Sequence, residues 1–312
     1  MMPDRVTSVE CRSADMRSHG SATKMSAVAR TNSADLMPVV GLRLLEGRVG
    51  STLLMELLAS APEVICERRY PVGEYRYLSY CVRIATQMGT PFDPERHVGV
   101  TELLFGTSDR TGPLPWQVEA LSVETLGPRV LHALWGACSA GFRECAPSSR
   151  WYAEKLACPV EPIAAAEIPL RVVDVVRDPR DVVASMSAFG DRSGPWGFRR
   201  TPGEAHDEWI AGLVRAFAAR IDTMLAPSAG STLLRYEDFA VNLHATADLL
   251  GEMLDVHLDA DAALAQRHEN HMTTRSAEES IGRWRRDLAP DLADAIWSTL
   301  GPRLEILGYT HG

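Results

Sequence analysis

Two apolar runs of strand length organise the first two thirds of the chain. Residues 38–45, Pro-Val-Val-Gly-Leu-Arg-Leu-Leu, are rich in branched side chains and long enough for a buried strand, and an amphipathic helix follows from about Ser51 through Leu58. Residues 170–176, Leu-Arg-Val-Val-Asp-Val-Val, form a second buried-strand candidate. Asp178-Pro179 comes next, placing an N-cap residue before a proline at the first helical position. Apolar strands alternating with helical stretches predict one α/β domain over residues 37–312, with a central, mainly parallel sheet flanked by helices. Helical pattern is irregular between about 75 and 150, where Pro113-Leu114-Pro115-Trp116 interrupts it. The first 36 residues, rich in Ser, Thr, Ala, Met and Arg, read as a disordered leader.

The junction after the first run carries chemistry. In Gly47-Arg48-Val49-Gly50-Ser51-Thr52, two glycines permit a tight turn that aims backbone N–H groups and the positive end of the helix dipole at one place. Ser51 and Thr52 add hydroxyls and Arg48 adds a fixed charge, so a P-loop-like phosphate turn is expected here. The nucleotide-triphosphatase pattern itself is not met. Leu45 stands where its first glycine belongs and Ser51 where its lysine belongs.

A second anion site is expected at Arg177-Asp178-Pro179-Arg180-Asp181-Val182-Val183-Ala184-Ser185. Arg177 falls at the carboxyl edge of the second strand, where open α/β sheets bind ligands. Ser185 lies two turns into the helix, and its hydroxyl together with a planar guanidinium suits a phosphate monoester. A nucleotide with phosphates at two separate positions would use both segments.

This pair of motifs resembles the sulfotransferases that use 3′-phosphoadenosine 5′-phosphosulfate (PAPS), particularly bacterial members of carbohydrate and small-molecule type. In that family an Arg-Ser-Gly-Thr-Thr type of turn holds the 5′-phosphosulfate end, to which Arg48, Val49, Gly50, Ser51 and Thr52 correspond, with Val49 replacing a small hydroxyl residue. The Arg-Asp-Pro-Arg-Asp string with its serine holds the 3′-phosphate, which assigns that group to Arg177 and Ser185. Leu234 to Phe239, including Tyr236, resembles the family's strand followed by Tyr-Glu-Asp, and Trp151 to Lys155 its Glu-Lys strand. Gly282-Arg283-Trp284, followed by an amphipathic helix ending at Leu307-Gly308-Tyr309, resembles the segment that closes over the cofactor, with Trp284 placed to stack near adenine.

The resemblance implies sulfuryl transfer from PAPS to an acceptor hydroxyl, leaving adenosine 3′,5′-bisphosphate, with no metal. In-line attack through a loose transition state leaves the protein to position groups and neutralise charge on the leaving oxygen, a task for Arg48 and the amides of the turn. A general base must take the acceptor proton. Glu67, just after Val64-Ile65-Cys66, is expected in that role, with Glu74 one loop further as the alternative.

Composition restricts the partners. A net charge of −9 disfavours nucleic acid, while local clusters at Arg177/Arg180, Arg199/Arg200 and Arg283/Arg285/Arg286 suit a small polyanion. Six cysteines, at 11, 66, 81, 138, 145 and 158, show no metal spacing and read as buried or partly buried free thiols in a reducing compartment. His268-Glu269-Asn270-His271 lacks the zinc-protease pattern and reads as a polar loop near the cofactor lid. No run reaches the roughly 18 apolar residues of a membrane span, so a cytoplasmic protein without membrane or nucleic-acid partners is expected. Acceptor specificity is expected in the 75–150 stretch and in a loop from Phe189 to Pro202, with Tyr70, Tyr75, Tyr77, Tyr80 and Trp116 as candidate walls for a small-molecule or carbohydrate acceptor. Two alternatives stay open at this level, a magnesium/ATP-dependent small-molecule kinase and a non-catalytic nucleotide-binding protein.

Overall fold

The computed structural model describes residues 35–66, 68–69, 73–74, 76–89, 123–193, 200, 203–226, 230–266, 273–274 and 276–312. Five parallel strands form the central sheet, β1 (Val39–Leu44), β2 (Val64–Ile65), β5 (Trp151–Lys155), β6 (Leu170–Val176) and β7 (Ser231–Arg235), in the spatial order β2-β5-β1-β6-β7. A small antiparallel pair, β3 (Arg68–Arg69) and β4 (Gly73–Glu74), stands apart from it.

The strands read as continuous apolar runs because helices cover both faces of the sheet. On one side, α1 (Ser51–Leu58), α6 (His206–Leu225), α8 (Leu243–Leu254) and α11 (Pro290–Ile306) contribute to a core that includes Leu42, Leu54, Val173, Phe217, Leu250 and Leu300. A second apolar cluster joins α2 (Tyr77–Gly89) and α3 (Val123–Cys145) around Leu78, Trp135 and Tyr152. Leu36 is buried within it, so packing begins just ahead of the strand. Polar groups inside the sheet are matched by register: Arg43 faces Asp174 across β1 and β6 and donates to it through Nε at 2.5 Å and Nη2 at 2.8 Å.

Strand order places the site. From β1 the chain crosses to β2 and returns through β5 on one side, whereas β6 and β7 lie on the other, so the carboxyl end of β1 is the switch point where such sheets bind ligands. The segments leaving β1, β5, β6 and β7 there begin with Leu45, Leu156, Arg177 and Tyr236.

Two expectations require adjustment. The helix after β6, α5 (Pro179–Ser193), runs through Phe189, so the loop expected to begin at Phe189 starts later. Phe189 lies one turn beyond Ser185, and its ring sits 4.8 Å beneath the Arg48 guanidinium, a contact that favours keeping the helix wound. Cys145 is exposed, whereas Cys81 is buried and Cys66, Cys138 and Cys158 are partly so; all five are free thiols. Cys11, Tyr70, Tyr75, Trp116, Arg199 and the His268 to His271 segment lie outside the described residues.

Candidate functional site

The turn after β1 is built from two left-handed residues, Arg48 at φ 66° and Gly50 at φ 80°. Glycine was expected to provide the turn at 47 as well as at 50, yet the strained position is occupied by arginine. A non-glycine residue there costs about 1–2 kcal/mol, offset by Arg177, whose Nη1 donates to the Arg48 carbonyl at 2.9 Å. Gly50 is required on two counts, since a Cβ at that position would lie 2.6 Å from the Tyr236 ring and 2.8 Å from Phe239. Val49 is fully buried and anchors the turn in the core. Beyond it, the amides of Gly50, Ser51 and Thr52 have no hydrogen-bond acceptor among the described residues, and they open α1 with its dipole.

A cavity of about 170 Å³ collects the two predicted anion sites. Arg48, Gly50, Ser51 and Thr52 line it together with Arg177 and Ser185, and Glu56, Tyr236, Thr273 and Ser280 are among the other wall residues. Arg177 is 4% exposed and lies 4.2 Å over the Tyr236 ring. Its Nη2 donates to the Ser280 carbonyl at 2.5 Å, while its Nε has no partner among the described residues. A buried guanidinium N–H without an acceptor and a run of unpaired amides in one cavity fit a polyanionic ligand.

Residues 273 to 284 supply further hydrogen bonds beside this arrangement. Thr273 Oγ1 accepts from Arg283 Nη1 at 2.7 Å and from Arg48 Nη2 at 3.5 Å, and lies 3.2 Å from the Ser185 hydroxyl. Arg48 Nε also donates to Ser185 Oγ at 3.1 Å. The Tyr236 hydroxyl and Ser280 Oγ share a hydrogen bond of 2.6 Å. Asp181 accepts from the amides of Gly282 at 2.7 Å and Trp284 at 2.9 Å, fixing the start of α10 (Trp284–Asp287). Burial raises the Asp181 pKa to about 6 despite the opposing charge of Arg177.

Not every predicted cation faces the cavity. Arg180, grouped with Arg177 as part of an anion cluster, is 1% exposed and bridges Asp178 to the carbonyls of Thr310 and His311. It stacks 3.8 Å from the Trp284 ring, so Trp284 is committed to that guanidinium. Asp178 caps α5 by accepting from the Arg180 amide at 2.9 Å, as the Asp-Pro pair predicted.

Lys155, Thr273 and Ser280 carry parts of the site that motif reading did not assign. Lys155, 8% exposed at the end of β5, places its Nζ 3.5 Å from Thr52 Oγ1. Its signal in the sequence was an ionisable residue closing a strand next to the phosphate turn. Glu154 beside it has a different function: it accepts from the amides of Leu78 and Ser79 and from the hydroxyls of Ser79 and Tyr152, and burial raises its pKa. A second space of about 910 Å³ opens on the other side of Arg48, Ser51 and Thr52, with Lys155, Glu46 and Arg76 among its walls. Glu46 is paired there with Arg220. Glu67 lies outside the described residues; Glu74 pairs in register with Arg68 in the small hairpin.

Among the described residues no helix is long and apolar enough to cross a membrane, and no cluster of three or more His, Cys, Asp or Glu has metal-binding geometry. No family model matches the chain, and no curated protein matches it. Among solved structures, the sulfotransferase domain of the Synechococcus PCC 7002 olefin synthase is similar over 88% of this chain and 96% of its own, at 16% identity and a TM-score of 0.49. The sulfotransferase domain from the curacin biosynthetic pathway covers 85% of this chain and 98% of its own, at 14% identity and a TM-score of 0.47. Retinol dehydratase, in a complex with retinol and PAP, covers 86% of this chain and 82% of its own, at 13% identity and a TM-score of 0.40.

Proposed function

We propose that this chain is an enzyme that transfers a sulfuryl group from PAPS to a hydroxyl of a small-molecule or carbohydrate acceptor. The observation that carries the reading is the meeting, in one cavity, of a phosphate turn with a second anion site made from Arg177 and Ser185. Two anion sites on one nucleoside match a 3′,5′-bisphosphate better than a triphosphate, whose phosphates form a single chain. Residues 45–51 also lack the glycine and lysine that a triphosphatase turn needs.

PAPS, when bound, supplies the transferable sulfuryl group and a stable bisphosphate leaving group. The amides of Gly50 to Thr52 would hold the 5′ end, and Arg177 with Ser185 the 3′-phosphate. Arg48 and Lys155 flank the turn from its two sides and neutralise charge that grows on the leaving oxygen. The acceptor enters from the larger space bordered by Lys155, Glu46 and Arg76. Glu67 is assigned as the base that takes the acceptor proton, with Glu74 as the alternative.

Thermal stabilisation by adenosine 3′,5′-bisphosphate without metal, against ATP with and without magnesium, tests the cofactor class, because a ligand selective for the folded chain raises Tm by mass action. A metal-independent shift by the bisphosphate is expected. A shift by magnesium–ATP alone would replace this reading with a kinase. Glu67→Gln is expected to keep bisphosphate affinity and lose turnover.

A further inference from the structure

A third space, of about 870 Å³, adjoins the acceptor side and is lined by Arg76, Tyr80, Arg83 and Pro159 among others. It shares Arg76, Ala157, Cys158 and Pro159 with the space beside Lys155, which in turn shares Arg48, Ser51 and Thr52 with the cofactor cavity. The outer space thus borders the one beside Lys155, and the cofactor cavity lies across Arg48, Ser51 and Thr52 from it. Arg76 stands where the outer space meets the one beside Lys155.

Among its described lining residues the outer space carries charge of one sign. Arg76 and Arg83 line it, and no aspartate or glutamate is among its described lining residues. Neither arginine has an ion-pair partner among the described residues. Arg76 immediately precedes α2, its carbonyl accepting from the Tyr80 amide at 2.9 Å, and Tyr80 and Arg83 follow at four- and three-residue intervals, so the three lie toward one side of the helix start over about 10 Å. Tyr80 is 64% exposed and offers a flat apolar surface between the two cations.

Other polar groups nearby are committed. The amides of Leu78 and Ser79 donate to the Glu154 carboxylate, which occupies the anion position at the helix N-terminus. Ser79 Oγ donates to Glu154 at 2.6 Å and accepts from the Ala157 amide at 3.0 Å. Burial raises the Cys158 pKa to about 11, which keeps this wall residue a neutral thiol. The arginine pair is thus what remains to select a ligand.

Resting on the sulfuryl-transfer reading, we infer that the acceptor is acidic, with its hydroxyl directed toward Thr52 and Lys155 and a carboxylate or other oxyanion held along Arg76 and Arg83. An elongated body between the two ends lies over Tyr80. The acceptor's own charge then neutralises both arginines.

The test uses para-hydroxybiphenylcarboxylate and its carboxamide, which differ in charge and hardly in shape, titrated into the full chain with and without saturating adenosine 3′,5′-bisphosphate. Exposed charge pairs contribute little each, so with two of them the carboxylate is expected to bind about three- to tenfold more tightly than the amide. Arg76→Gln and Arg83→Gln should each reduce that preference and the double variant should remove it, with bisphosphate affinity unchanged. Equal binding of the two probes, binding of neither, or a preference that survives the double substitution overturns the inference. Failure of the bisphosphate to bind the unaltered chain would instead count against the sulfuryl-transfer reading, and the probe comparison without nucleotide would still report on the arginine pair.

Discussion

Replacing Arg177 with alanine tests the proposed 3′-phosphate site against the proposed 5′ site through the size of the loss at each. Its guanidinium is buried against Tyr236, bonded to the carbonyls of Arg48 and Ser280, and retains an Nε donor without a partner in the described cavity. A hydrogen bond to a charged group contributes about 1.5–3 kcal/mol, so loss of the 3′-phosphate contact should weaken adenosine 3′,5′-bisphosphate by a factor of about 10 to 150. Adenosine 5′-monophosphate has no phosphate at that position, so it loses only what the turn loses with the Arg48 carbonyl contact, and its affinity should fall by a clearly smaller factor than that of the bisphosphate. The same substitution strands two carbonyls in a largely buried site at a cost of about 1–3 kcal/mol each, so urea unfolding must accompany calorimetric titration of both nucleotides. Arg177→Lys should fall between wild type and alanine, because one ammonium cannot bridge the Arg48 and Ser280 carbonyls with a planar fork. Equal losses for the two nucleotides in a folded variant would refute the assignment of this residue to the 3′-phosphate.

Gly50→Ala should lower stability by about 2–5 kcal/mol, combining left-handed strain of about 1–2 with overpacking of about 1–3 against Tyr236 and Phe239; an unchanged urea midpoint would refute the geometry of the turn. The Asp181 carboxyl titrates at about 6 in the folded chain, above its unfolded value, because burial favours the proton. Its contribution is therefore complete below about pH 4 and falls by about 3 kcal/mol as pH rises through 6. The stability difference between wild type and Asp181→Asn, followed by urea unfolding from pH 4 to 7, should fall with rising pH, and a flat or rising difference would contradict it.

Much of the fold was legible because buried strands in a parallel sheet are apolar on both faces and cannot be disguised. Residues 38–45 and 170–176 contain β1 and β6 at the centre of the sheet, and the helix expected from Ser51 through Leu58 matches α1. The turn after β1 was visible through Gly50, whose lack of a Cβ the packing demands, but the left-handed residue at Arg48 was not. Its conformation depends on a carbonyl contact from Arg177, 129 positions away in sequence. Thr273 and Ser280 were equally hidden. A single hydroxyl in a polar loop has no periodicity, and only the folded chain brings Thr273 to Arg48, Ser185 and Arg283. The base assignment gained nothing from the fold, since Glu67 lies outside the described residues.

The Arg-Asp-Pro-Arg-Asp string reads as one anion grip in the sequence, and helical spacing explains why it divides its labour. Arg177, Asp181 and Ser185 recur every four residues and so share the side of the chain that meets residues 273 to 284: Arg177 holds the Ser280 carbonyl, Asp181 the amides of Gly282 and Trp284, and Ser185 lies against Thr273. Asp178 and Arg180 leave that face. One caps α5, and the other ties the helix start to Trp284 and the carbonyls of Thr310 and His311. The second arginine thus braces the packing behind that face, since it packs the ring of Trp284 whose amide Asp181 holds. Local sequence could reveal that these residues belong together, but the direction each one faces follows from the helix that begins at Pro179.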